Sequence, residues 1–253
     1  RNKNYFSSHQ KIKYKINIFL IFIFSIILIP PTGIARFQSA SLYLPFIIIF
    51  TKIWEKKYAM QVTTLLSIWL VFPFLDKFRN FDFANFNFKL NFDLYLFSQG
   101  HFDSYQNFVR AVELDLVTYG TQLKGALLFF VPRSIWENKA VGSGTLLANK
   151  LSYETTNVSM PFIGEGYVNF GVLGSLIFML ILGIISGNLD RVAWEIKNSN
   201  KDSTFLYYYY FLFGLVFFLM RGDLINSVAF ISGFTAAFWV LVLFLNYSAR
   251  IRF

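Results

Sequence analysis

Cysteine is absent, so disulfides, thiolate metal sites and a cysteine nucleophile are all excluded. Histidine is nearly absent. His9 and His101 stand far apart in the chain, which argues against a histidine-rich zinc or di-iron centre. Acidic residues are also few, 14 against 23 lysines and arginines, and the net charge of +9 would suit a nucleic-acid binder if the bases shared one solvated face. They flank apolar runs instead, so no nucleic-acid partner is expected.

What the chain has in abundance is apolar surface. Of its 253 residues 55% are hydrophobic and 21% aromatic, with 33 Phe, more than one soluble core of this size can hide. The expected class is an all-α, polytopic integral membrane protein, with residues 1–253 forming a single membrane domain. The first residue is not Met, and RNKNYFSSHQKIKYK leads straight into an apolar run, so the chain reads as the C-terminal part of a longer one. That first run also has the form of a signal peptide, a reading weakened by the spans that follow it.

A spanning helix needs about 20 mainly apolar residues. About six stretches qualify or come close: 16–31, 42–54, 59–75, 167–187, 205–220 and 224–246. The second is short and carries Pro45, which also suits a re-entrant segment. Charge tests the count, because each added helix flips the side of the next loop. With both ends of the chain on one side, that side holds Arg1, Lys3, Lys11, Lys13, Lys15, Lys52, Lys56, Lys57, Arg191, Lys197, Lys201, Arg250 and Arg252. The short loops opposite hold only Arg36 and Arg221, so both ends are expected to be cytoplasmic.

Residues 76–166 then form a long, partly helical outer loop. Within it Phe102, Tyr105, Phe108, Val109 and Val112 recur at helical spacing, and LKGALLFF (123–130) is too short to span but suited to the interface. Loops of this length usually carry function.

Four stretches hold the candidate residues. VPRSIWENKAVGSG (131–144) presents Arg133, Trp136 and Lys139: a planar fork, an indole and a point charge suited to a lipid-linked anion or, more simply, to headgroups. Its Gly142–Ser143–Gly144 run either lets backbone N–H groups approach a phosphate or makes a plain turn. PFIGEGYVNFG sets Glu165 between two glycines at a helix entrance, as a cap or as a base. QGHFDSYQNF supplies His101 as a base candidate and Asp103 as either base or ordinary N-cap. FFLMRGDLIN puts Arg221 and Asp223 in a turn between two apolar helices, where charges are costly unless paired or wet.

FVPRSIWENKAVGSG, TNVSMPFIGEGYVNFGVLG and the MRGD before the last helix together resemble the Wzy-type oligosaccharide repeat-unit polymerases of bacterial O-antigen and capsule synthesis, over about residues 100–227. The resemblance implies a C-type glycosyltransferase-like enzyme of the bacterial inner membrane with the long loop periplasmic. Such an enzyme transfers glycan from undecaprenyl diphosphate to the non-reducing end of a new lipid-linked repeat unit. It implies no cofactor and no metal. The implied partners are the undecaprenyl-diphosphate-linked oligosaccharide, membrane lipids, and flippase and chain-length regulator proteins. In this reading Arg133, Trp136, Lys139, Arg221 and Asn169 bind substrate, and Glu165, Asp103, His101 and Asp223 are the candidate catalytic groups. Family members often carry an arginine and a downstream glycine with ten residues between them; Arg133 and Gly144 have that spacing, whereas Arg221 reaches Gly233 one residue too late. The rival readings are an O-antigen ligase, passing the glycan to lipid A core, and a polysaccharide flippase or transporter. A transporter should carry ionisable groups at mid-membrane depth, which these spans almost lack.

Overall fold

The computed structural model describes residues 8–31, 34, 36–51, 56–67, 103–199 and 203–251, and among them the chain is helical with no strand. It divides into two compact units, residues 1–92 and 93–253.

The first unit contains α1 (Ser8–Leu28), α2 (Arg36–Thr51) and α3 (Ala59–Leu66). Helices α1 and α2 pack side by side through rings. Phe22 meets Tyr43, Phe46 and Phe50 at centroid distances of 6.1, 5.4 and 6.0 Å. The Tyr43 hydroxyl donates to the carbonyls of Ser25 and Ile29 at the C-terminal end of α1, tying α2 to the place where that helix stops. Pro45 is buried inside α2.

The second unit contains α4 (Ser104–Glu113), α5 (Thr121–Leu127), α6 (Ser143–Lys150), α7 (Phe162–Asn198), α8 (Thr204–Arg221) and α9 (Leu224–Ile251). Among the described residues three helices are long and apolar enough to cross a membrane: Phe162–Asn198, Thr204–Arg221 and Leu224–Phe244. Of the other three expected spans, two are shorter apolar helices, Ile16–Leu28 and Gln38–Thr51. The third, 59–75, is helical over Ala59–Leu66 and from residue 68 lies outside the described residues.

The expected span at 167–187 proves to be one part of a reversal. Residues 162–169 and 172–198 are separated by non-helical backbone at Phe170 and Gly171, the latter at φ +68°, ψ −155°, a conformation open to glycine and strained for side-chain-bearing residues. A straight helix would hold residues 162 and 178 about 24 Å apart. Instead the Phe162 and Phe178 rings lie 5.5 Å apart, and Ser175 Oγ donates to the Ile163 carbonyl at 2.9 Å. The short arm therefore folds back antiparallel along the long one, with Gly166 against Gly174, backbone to backbone. The arm's last carbonyls are met from outside: Val168 O accepts the Thr118 N–H, and Asn169 O accepts the Gly120 N–H.

Two apolar clusters hold the loop helices onto this hairpin. Ala111, Leu116, Leu147, Met160 and Val168 form one; Ala126, Phe162, Phe178 and Leu224 form the other, with Leu219, Ile225 and Val228 against it. The 104–113 helix exists as its periodicity predicts, but with a different face inward. Asn107 and Ala111 are buried, whereas Tyr105 and Val112 are exposed; Phe102 lies outside the described residues. Burial there follows the polar partners of Asn107 and not the apolar stripe.

Candidate functional site

The turn between α8 and α9 brings together two of the expected residues, Glu165 and Asp223. Asp223 caps α9 in the ordinary way, its Oδ1 accepting the N–H groups of Ile225 at 2.9 Å and Asn226 at 3.2 Å. The same carboxyl also accepts the backbone N–H groups of Ser143 and Gly144, at the start of α6. Gly142 is needed for this approach, because a Cβ there would sit 1.8 Å from Asp223 Oδ2. Gly144 is equally confined, with a Cβ falling 1.9 Å from the Val158 carbonyl oxygen. The Gly142–Ser143–Gly144 run is thus an anion cradle whose anion is the protein's own Asp223. Burial pushes the Asp223 carboxyl above the ordinary aspartate range, and its backbone N–H donors pull against that rise.

Glu165 closes the same junction from the hairpin side. It is fully buried; Oε2 accepts the Ser143 hydroxyl at 2.6 Å and Oε1 accepts the Leu224 N–H at 3.0 Å. Two carboxyls from two elements therefore face the N-termini of α6 and α9, the helix ends at which negative charge is most favoured. In this arrangement Glu165 and Asp223 are joints of the fold, and neither oxygen of Glu165 is open to a substrate hydroxyl.

Asn169, expected to bind substrate, is also inside the fold. Its side-chain nitrogen donates to the Glu165 carbonyl at 2.8 Å and its oxygen accepts the Leu123 N–H at 2.7 Å, pinning α5 to the hairpin with no exposed surface. Its duty here is structural.

Arg133 and Lys139 lie together in the 128–140 turn, and both spend donors on that turn. Arg133 donates to the carbonyls of Lys139 at 2.8 Å and Ala140 at 3.4 Å; Lys139 Nζ donates to those of Phe129 at 2.5 Å and Val131 at 2.9 Å. Trp136 carries Lys124 Nζ 5.2 Å from its ring centroid. The cations of this stretch thus also close its own loop, with Arg133 remaining exposed.

Arg221 and Asp103 form a different cluster, and a partly open one. Arg221 Nη2 lies 3.4 Å from Asp103 Oδ1, with side chains 26% and 20% exposed. Asp103 does not cap α4 through its side chain. Its Oδ1 accepts the Ser159 hydroxyl at 2.7 Å and its Oδ2 the Asn107 amide at 3.2 Å, while Ser104 Oγ lies 2.7 Å from Ser159 Oγ. Sequence reasoning missed Ser159 and Asn107, and no signal marked them: Ser159 lies outside any helix, and Asn107 sits opposite the apolar stripe of its own helix. His101 lies outside the described residues. A cavity of about 380 Å³ between α7 and α8, bordered by Asp190, Tyr209 and Phe213, contains none of the expected residues.

No protein-family model, curated protein or solved structure matches the chain.

Proposed function

We propose that the chain is a Wzy-type polymerase acting on undecaprenyl-diphosphate-linked oligosaccharide repeat units at the periplasmic face of the bacterial inner membrane. The observation that carries this reading is the half-open Arg221–Asp103 pair, a cation and a carboxylate presented together at the end of a membrane-length helix. Glycosyl transfer from a diphosphate needs both. The acceptor hydroxyl oxygen bonds to the anomeric carbon as the bond from that carbon to the diphosphate oxygen breaks, the hydroxyl proton passes to Asp103, and the departing diphosphate's charge meets Arg221. Ser159 and Asn107 hold the carboxylate's orientation. The six-span topology, with both ends of the chain cytoplasmic, belongs to the same proposal.

The test is the banding ladder of surface polysaccharide from a deletion strain complemented with variants, normalised to protein in the membrane. Asp103→Asn and Arg221→Ala are each expected to cut polymer by about a hundredfold while leaving single-repeat caps, since removing a proton acceptor or a charge-stabilising group costs at least that much. Wild-type ladders in both variants would remove the pair from the reaction. Loss of the caps as well would point to a ligase.

A further inference from the structure

We infer that the turn spanning residues 127–136 is an interfacial wedge, seated in the phospholipid headgroup region of the leaflet from which α9 sets out. The inference stands apart from the glycan reading and rests on three independent features of the turn.

The first is its surface. Leu127, Phe130 and Ile135 are 64%, 68% and 78% exposed, three large apolar side chains within nine residues. The second is its backbone, much of which finds partners within the turn itself. Arg133 and Lys139 occupy the carbonyls of Phe129, Val131, Lys139 and Ala140. The N–H groups of Val131, Ile135, Trp136 and Lys139 donate to carbonyls of the same turn, those of Leu128, Pro132 and Trp136. A water-exposed loop needs no such closure, whereas irregular backbone that leaves water must bring its own partners. The third is its position. Gly120, at the start of α5, lies against Phe170 at the tip of the hairpin, and Ala126, near its end, packs with Leu224 at the start of α9. Gly125 meets Ile225 in the same way. The turn that follows thus leaves α5 at the level where the apolar length of α9 begins.

The charges fit the same occupant. Lys124 lies over the Trp136 ring, an indole suited to the headgroup level, and Arg133 and Lys139 outnumber Glu137 in the same turn, a net positive charge suited to lipid phosphates.

The chain has no cysteine, so an introduced one is unique. Single variants Phe130→Cys, Ile135→Cys and, as a solvated reference on α4, Glu113→Cys are labelled with an environment-sensitive dye and reconstituted as the full chain in phosphatidylcholine–phosphatidylglycerol vesicles. The dyes at 130 and 135 are expected to emit to the blue of the dye at 113 and to be quenched by spin-labelled lipid but not by iodide, with the reverse at 113. Iodide quenching at 130 and 135 equal to that at 113 overturns the inference. Protection from both quenchers also overturns it, since that would place the turn under protein.

Discussion

Gly174→Ala should deplete the protein from the membrane fraction. The hairpin brings residue 174 so close to residue 166 that a Cβ on Gly174 would lie 2.1 Å from the Gly166 carbonyl oxygen and 2.9 Å from Phe170 Cβ. Neither neighbour is the loose end of a side chain, so the two arms must part. Overpacking a well-filled core costs about 1–3 kcal/mol, and a backbone-to-backbone contact belongs at or beyond the upper end of that range. The same helix contains its own controls. Gly183 and Gly187 have nothing within 4 Å of an added Cβ, and alanine there should be neutral or stabilise by up to about 1 kcal/mol through helix propensity. Membrane abundance and the melting temperature of the detergent-solubilised variants check this. Equal melting temperatures for the 174 and 183 variants would mean that α7 does not turn back on itself.

Glu165 should separate sharply by substitution. In Glu165→Ala the Ser143 hydroxyl and the Leu224 N–H lose their shared acceptor in a fully buried place, at about 1–3 kcal/mol for each stranded group. The joint between α6 and α9 should fail and the protein should be lost. Glu165→Gln keeps a carbonyl oxygen for Leu224, and its amide can donate to Ser143 once that hydroxyl turns to accept, so abundance and polymer ladder should stay near wild type. An abundant Gln variant that makes no polymer would return Glu165 to the chemistry. An abundant Ala variant would show that the junction does not depend on it.

Long apolar runs were readable because membrane length and helix length are set by the same backbone rise, and the structure places helices in or near every expected stretch among the described residues. The reversal at Phe170 and Gly171 was not readable. Hydropathy continues across NFGVLG without a break, and the eight-residue spacing of Gly166 and Gly174 acquires meaning only once the arms touch. The site shows the same divide. The sequence exposes which residues carry charge, and so marked Arg133, Glu165, Arg221 and Asp223. It cannot show which charges a fold spends on its own carbonyls and helix ends. Arg133 and Lys139 close a loop, Glu165 and Asp223 join two helices, and the Arg221–Asp103 contact joins residues 118 positions apart.

Only Gly222 and Asp223 separate α8 from α9, which leaves too little chain for the two helices to enter a bilayer one at a time. In the proposed topology they insert as a closed pair, and the turn must be carried outward against the membrane potential. A lone arginine moved in that direction would cost about 2.3 kcal/mol for each 100 mV. Because Asp223 travels with Arg221, the turn moves no net charge, and the potential neither drives nor opposes its passage. In that topology the carboxyl that joins two helix ends would also serve as a counter-ion in transit.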